Sequence, residues 1–410
     1  MKRLLKRRCL SALILLVLQA WPAWGLAVTA HHSAPSSLYR QAQVRGPTAE
    51  GRKPKGQLWP GSRWTKADRA RAVRRGLLFI YRTALEPKNF AEYGSDYLWC
   101  FYTLSEALAD PQARALARRM GIERARRWRL LHSSLPVDAD AATIADYAFG
   151  SDAADSLGLR DSRLKEEIRR AAPLYSARAY MLFDPKTEPP PADVPAECDS
   201  CHAFNLRGTT TCSVCRQPLR MRTRYDVWYD ALITAYSGER YGVRLGASYA
   251  DVLRWLPTLR PYRGGPNAQG DEFYDTVYAI THVVYTLNDY SLYRLSPRLL
   301  PREFEFLRDN MQAAISIKDA DMLGEFMDSL RAFGLGTDDP LMRKGMEYLL
   351  ANQNRDGSWG NPNERDIYLR YHPTWNAVAA LSEYAWRGER LSHPEVRPML
   401  EEWSAEAALR

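Results

Sequence analysis

The stretch Gln353-Asn354-Arg355-Asp356-Gly357-Ser358-Trp359-Gly360 lies between two helical runs, residues 340–352 and 374–387. The same alternation of helix and short loop continues outward from it. Upstream are helical candidates at 224–237, 249–256, 272–290, 301–317 and 319–333, and downstream one at 394–409. Their lengths are similar and their connections short, which is the pattern of stacked helical hairpins. The first half reads alike, with candidates at 67–85, 96–108, 111–131, 139–149 and 161–183. Thr65 is expected to cap the first of these, with Asp68 three residues on. Residues 96–108 are apolar nearly all round, so this run is expected to be an inner helix, with Cys100 as a core residue. No run alternates at period two for long enough to demand a large sheet, and the fold class is therefore all-α.

The quoted octapeptide resembles the Q-x-x-D-G-S-W repeat motif of squalene–hopene cyclases, and through it the α/α-toroid superfamily of terpenoid cyclases and protein prenyltransferases. The resemblance implies an α/α-toroid of helical hairpins in which Gln353 and Trp359 tie consecutive helices together. Residues 63–183 would form its N-terminal part and 224–410 its C-terminal part. Asp319-Ala320-Asp321-Met322 stands where class II terpenoid cyclases carry an acidic D-x-D-D motif, with Met322 in place of the last Asp. It also stands where prenyltransferase β-subunits carry a zinc-holding D-x-C pair, without the thiolate. Tyr371-His372-Pro373-Thr374 resembles the downstream Y-H-T helix start of that family. Neither polyene cyclisation nor thiol prenylation is implied by residues that depart in this way.

Between the two helical halves, residues 184–196 hold Pro185, Pro189, Pro190, Pro191 and Pro195, which excludes a helix. Cys198-Asp199-Ser200-Cys201 and Cys212-Ser213-Val214-Cys215 follow, ten residues apart. Each CxxC sets two thiolates on a tight turn, and this gap lets the turns close a tetrahedron about a structural zinc. The span 198–219 resembles a short zinc ribbon, so residues 184–223 are expected to be a linker plus a zinc-ribbon insertion. Two alternatives remain open. Export would favour two disulfides, and Cys198-Asp199-Ser200-Cys201-His202 matches a haem-c attachment pattern. A zinc ribbon would staple a segment too small to fold alone, or dock a protein partner.

Candidate chemistry gathers on three helix starts or faces. In a toroid, residues in the first turns of inner helices converge on the centre. Asp319 is expected as a helix N-cap, with Asp321 in the first turn and His372 starting a later helix. Tyr274, Tyr278, His282, Tyr285 and Asp289 share one face of the run 272–290. Such a face is too polar for a buried stripe and suits a wet, aromatic-lined cavity. His282, Asp319, Asp321, His372, Tyr278 and Tyr285 are thus the candidate catalytic residues. Two carboxylates and two imidazoles allow acid–base chemistry or a second, divalent metal.

Residues 1–30 open with Lys2, Arg3, Lys6, Arg7 and Arg8, continue with an apolar run to Trp21, and end in small residues at cleavage-compatible positions. This is the pattern of a secretory signal peptide, or of a membrane anchor if uncleaved, and it points to a periplasmic or extracellular protein. Residues 31–62 read as a disordered linker. His31 would become an amino-terminal copper ligand only if cleavage followed Ala30. The chain has 410 residues and a formal net charge of +9. Its arginines recur at helical spacing without a stacking-aromatic motif, which speaks against nucleic acid. Two functional classes follow. One is an exported enzyme acting on an envelope carbohydrate, lipid or modified peptide. The other is a non-catalytic binding or assembly protein, with the cavity as receptor and the zinc ribbon as docking module.

Overall fold

The computed structural model describes residues 57–408, apart from 197, 199, 202, 204, 206, 207 and 263–270. The expected signal segment, most of the linker, His202 of the haem pattern and most of the turn-rich loop at 261–270 lie outside the described residues. The protein is mostly helical. In chain order the helices are α1 (Lys66–Leu85), α2 (Pro87–Ala107), α3 (Pro111–Leu131), α4 (Ala141–Ser156), α5 (Ser162–Ala171), α6 (Ala177–Met181), α7 (Arg224–Tyr241) and α8 (Tyr249–Leu253). They continue with α9 (Asp271–Leu287), α10 (Pro301–Ile317), α11 (Ala320–Ala332), α12 (Pro340–Ala351), α13 (Tyr368–Leu381) and α14 (Arg397–Ala408). A two-stranded antiparallel pair, β1 (Val194–Pro195) with β2 (Met221–Arg222), brackets the cysteine segment.

Polar caps mark the helix starts. Thr65 and Asp68 form a reciprocal capping box on α1, while Asp110, Asp140, Asp161, Asp319 and Asp339 each accept backbone N–H groups at their own helix starts. Burial then sorts the helices. All 13 residues of α11 are buried, whereas α5 buries only Leu164 and Ile168. The most deeply buried helices contact one another in a cycle. α2 packs on α4, α4 on α7, α7 on α9, α9 on α11, α11 on α13, and α13 returns to α2. The others lie against this set: α3 on α2 and α4, α8 on α7, α10 on α11, α12 on α11 and α13. One hydrophobic core runs from Ala72 to Leu400, and Cys198, Cys212 and Leu219 form a second, small cluster.

The octapeptide at 353–360 joins the two ends of the helical array. Gln353 Nε2 donates to Ala72 O of α1 at 2.9 Å and to Gly357 O at 3.0 Å. Arg75 donates to Asn354 O at 2.7 Å and Arg355 O at 2.8 Å. Trp359 is fully buried; its indole N–H reaches Leu349 O of α12 at 2.8 Å, and its backbone N–H reaches Thr374 Oγ1 of α13 at 3.0 Å. Gly357 has φ +98°, and a Cβ there would stand 2.5 Å from Arg75 O. Only glycine fits both requirements.

Three expectations need correction. The last inner helix does not start at His372 or Thr374. It starts at Tyr368, whose N–H bonds Asp366 Oδ1 at 2.9 Å, and Pro373 lies inside it. The run 272–290 stops as a helix at Leu287, because Asp289, Tyr290 and Ser291 all take positive φ. Asp289 therefore leaves the Tyr/His face and accepts a hydrogen bond from Tyr236 at 2.6 Å and one from Arg240 at 3.3 Å. The run 161–183 breaks into α5, a 3-10 turn carrying Pro173, and α6.

Replacing the clamp side chains should loosen the whole array. Gln353→Ala should cost about 1–2 kcal/mol and Trp359→Ala about 3–5 kcal/mol. Urea unfolding of the two variants checks this, and unchanged midpoints in both would show that the clamp is dispensable.

Candidate functional site

The cycle of helices surrounds a cavity lined by residues from every member: Trp99 of α2, Asp146 of α4, Asp230 of α7, His282 of α9, Glu325 of α11 and His372 of α13 among them. The approach of α11 to α13 sets its chemistry. Gly324 packs so tightly that a Cβ would lie 2.7 Å from the Asn376 backbone. Asn376 Nδ2 is thereby held between two carboxyl groups, donating to Asp321 Oδ1 at 2.7 Å and to Glu325 Oε1 at 3.3 Å. His372 Nδ1 lies 2.8 Å from Asp321 Oδ1, and Tyr278 donates to Asp321 Oδ2 at 3.3 Å. Thr281 donates to Glu325 Oε2 at 2.5 Å.

These contacts divide the groups into protonated and unprotonated ones. Burial would lower the His372 pKa, but the Asp321 charge and their hydrogen bond outweigh it and raise it to about 9. Burial works against ionised Asp321, yet the His372 charge and the donors around it hold its pKa below the ordinary carboxylate value. Glu325 is pushed up to about 8, by burial first and by the Asp321 charge second. His282 goes the other way, down to about 4, because burial penalises its cation. Its Nδ1 stands 2.7 Å from Tyr278 O. A carbonyl only accepts, so Nδ1 carries the proton and Nε2 keeps its lone pair.

The sequence-derived residues take different places. His282, Tyr285 and His372 line the cavity. Asp321 stands behind His372 as its partner, with Tyr278 donating to Asp321 in turn, and His282 is enclosed by aromatic rings rather than aliphatic chains, stacking on Tyr229 at 5.1 Å. Asp319 is the N-cap of α11 as expected, its Oδ1 accepting the N–H groups of Asp321 at 2.8 Å and Met322 at 3.4 Å, and it is not among the residues lining the cavity. The structure adds Glu325, Asn376, Asp96, Asp146, Asp230 and Asp328, which sequence reasoning did not select. Asp321, Glu325 and Asp328 follow helical spacing along α11, the one signal that could have found the last two.

The second divalent metal finds no donor set in the cavity. Among the described residues, the groups of three or more ligand atoms within 4.8 Å are the four cysteines and Glu239–His393–Glu395. The cysteines do converge. Cys198 and Cys215 sulfurs lie 3.4 Å apart and those of Cys201 and Cys212 3.5 Å apart, with none bonded to another. Cys198 N donates to Ala203 O at 3.1 Å and Cys212 N to Gln217 O at 2.8 Å, closing a turn at each CxxC. Val214 N–H points at Cys212 Sγ, 3.4 Å away. Four thiolate donors at this spacing can hold a metal ion. Cys100 is fully buried in α2, as expected. No helix among the described residues is long and apolar enough to cross a membrane.

No protein-family model, no curated protein and no solved structure matches this chain.

The Asp321–His372 pair gives stability a defined pH window. The raised His372 contributes fully below its ordinary 6.5, and its contribution drains away as pH climbs through about 9. Asp321, held low, contributes above its ordinary 3.8 and loses its contribution as pH falls below that value. Urea titrations should show a fall in stability between pH 6.5 and about 9. Asp321→Asn should cost about 3–5 kcal/mol at pH 7 by stranding a buried charge. It should also remove the His372 share of the fall, the part that extends from about pH 8 to about 9, leaving the share of Glu325.

Proposed function

We propose that this chain is an exported α/α-toroid enzyme whose central cavity performs acid–base hydrolysis of an envelope carbohydrate. The toroid is supported by the cycle of contacts that returns from α13 to α2, by the Gln353 and Arg75 bonds between the first helix and the last hairpin, and by the Trp359 bonds within that hairpin. Export is supported by the N-terminal pattern.

One observation carries the chemistry. His282 Nδ1 and Glu325 Oε2 lie 4.0 Å apart on the cavity wall, with the imidazole pushed down to about 4 and the carboxyl up to about 8. At neutral pH the pair holds one acid and one base in working form. Glu325 gives its proton to the leaving oxygen as the glycosidic C–O bond breaks. A water forms the new C–O bond, and its proton passes to His282 Nε2. Solvent exchange restores both groups. His372 and Asp321 act as positioning residues, holding Asn376 and with it Glu325. Trp99, Phe149 and Trp375 offer flat apolar faces to sugar rings. A lipid tail would make no use of the carboxyl groups beside them.

Zinc held by Cys198, Cys201, Cys212 and Cys215 is the structural metal in this proposal. Four thiolates leave no open coordination position, so it does no chemistry. The cysteine segment has almost no apolar core besides the cysteines themselves, which makes metal its main source of stability.

Two measurements test these assignments. Hydrolysis of envelope glycan fractions should have a kcat/KM flat from about pH 5 to 7, falling below about 4 and above about 8. Glu325→Gln should lower kcat by about 100-fold or more and remove the alkaline limb. Sugar binding without turnover at any pH would favour the receptor alternative. Metal analysis should find one zinc per chain, lost in Cys212→Ser; purified protein free of zinc and fully oxidised at these cysteines would remove the zinc site.

A further inference from the structure

The cavity wall carries Asp96, Asp146, Asp230, Glu325 and Asp328, and no lysine or arginine is among its described lining residues. Asp230 is matched from behind by the buried Arg222 of β2, and Asp321 by His372. Among the described residues Asp96, Asp146 and Asp328 have no cation at ion-pair distance, and Glu325 has only the His282 imidazole, 4.0 Å away and uncharged at neutral pH. Each is held by a hydroxyl instead: Asp96 by Tyr371, Asp146 by Ser95, Glu325 by Thr281 and Asp328 by Ser291. They come from α2, α4 and α11, so they ring the hollow rather than gather at one point. No three of their oxygens meet within 4.8 Å, which disfavours a single metal ion as their counter-charge.

A second observation points to the ligand's shape. Thr234 and Ser237 lie on the wall, 3% and 5% exposed, and their hydroxyls have no hydrogen-bond partner. Unpartnered buried hydroxyls are uncommon and call for an occupant. Between these groups stand the rings of Trp99, Phe149, Tyr290 and Trp375. Aromatic faces interleaved with carboxyls attract an organic cation.

We propose that the cavity takes a substrate carrying spaced protonated amines on a hydroxylated frame, as in a deacetylated amino-sugar polymer. This rests on reading the cavity as a carbohydrate-hydrolysing site and names the sugar it selects. The amines supply the charge against which Asp96, Asp146 and Asp328 ionise, while Glu325 keeps its proton for the leaving oxygen. Ring hydroxyls satisfy Thr234 and Ser237, and ring faces lie on the aromatic walls. Uronate or phosphate-bearing sugars are excluded by the same carboxyls.

Calorimetry on the full chain tests this with four probes: a glucosamine trimer, its fully N-acetylated counterpart, a galacturonate trimer and spermidine. The glucosamine trimer should bind at least about tenfold more tightly than the N-acetylated one, the worth of one charge-assisted hydrogen bond. The galacturonate trimer should not bind. Comparison of two buffers with different ionisation heats should show protons released on binding at pH 7, as Asp146, raised by burial to about 7, ionises among Asp96, Asp230, Asp328, His282 and His372 while Glu325 keeps its proton. Spermidine separates the two sources of the amine: weaker binding than the trimer supports the sugar frame, and equal binding supports a polyamine ligand. Asp146→Asn should weaken trimer binding about tenfold. Should that variant fail to fold, proton release by the unaltered protein remains the deciding readout. Equal or tighter binding of the N-acetylated or galacturonate trimer overturns the proposal. Turnover of neutral glycans without amine preference overturns it too, while leaving the Glu325–His282 assignment standing. Amine binding without turnover does the reverse.

Discussion

The bonds from Gln353 and Arg75 across the gap between α1 and the loop after α12 hold the rest in place. They connect positions about 280 residues apart and fasten the first helix to the last hairpin. With them, α13 is pressed between α11 and α1, and its inner face is committed to the centre. The part of the site made by α11 and α13 depends on that packing. Gly324 admits the Asn376 backbone, Asn376 reaches two carboxyls, and both are sealed from bulk water.

Sealing decides which groups hold protons. Where a buried carboxyl meets a buried cation, as Asp321 meets His372, both ionise and the pair becomes structural. Where it meets only hydroxyls and amides, as Glu325 does, it keeps its proton. His282 loses its cation by the same logic, having a carbonyl and aromatic rings for company. A single helix turn on α11 thus separates an ion pair from an acid, and the acid faces the hollow.

Much of this was legible in the chain. Helix order followed from apolar periodicity and from aspartate and threonine caps, because those signals are local, although the run 161–183 proved to be two helices. The clamp motif was legible through its glycine and tryptophan, although only the structure shows that Gln353 reaches α1. The catalytic candidates were half legible. His282, Tyr285 and His372 do face the cavity, since helical spacing fixed which residues share a face. Asp319 stands apart from the cavity as the cap of α11, because a capping carboxylate and a cavity-facing one look alike in sequence when both begin a helix. Glu325 escaped because its character comes from α13, which is distant in sequence and contributes no local pattern. The helix end at Leu287 escaped for a related reason: three consecutive left-handed residues are imposed by tertiary contacts, and Asp289, Tyr290 and Ser291 do not advertise them. The cysteine pairs were fully legible, because their spacing is itself the geometry of a four-ligand site.

The protonation of Glu325 ties closure, burial and chemistry together, and it can be read directly. Carbon-13 labelling of glutamate side chains, with Glu325→Gln used to assign the signal, allows its carboxyl to be followed by NMR through a pH titration. Retention of the proton until about pH 8 is the expected result. An inflection at the ordinary glutamate value of 4.5 would mean that α13 does not seal α11 as described, and that Glu325 is no acid at neutral pH.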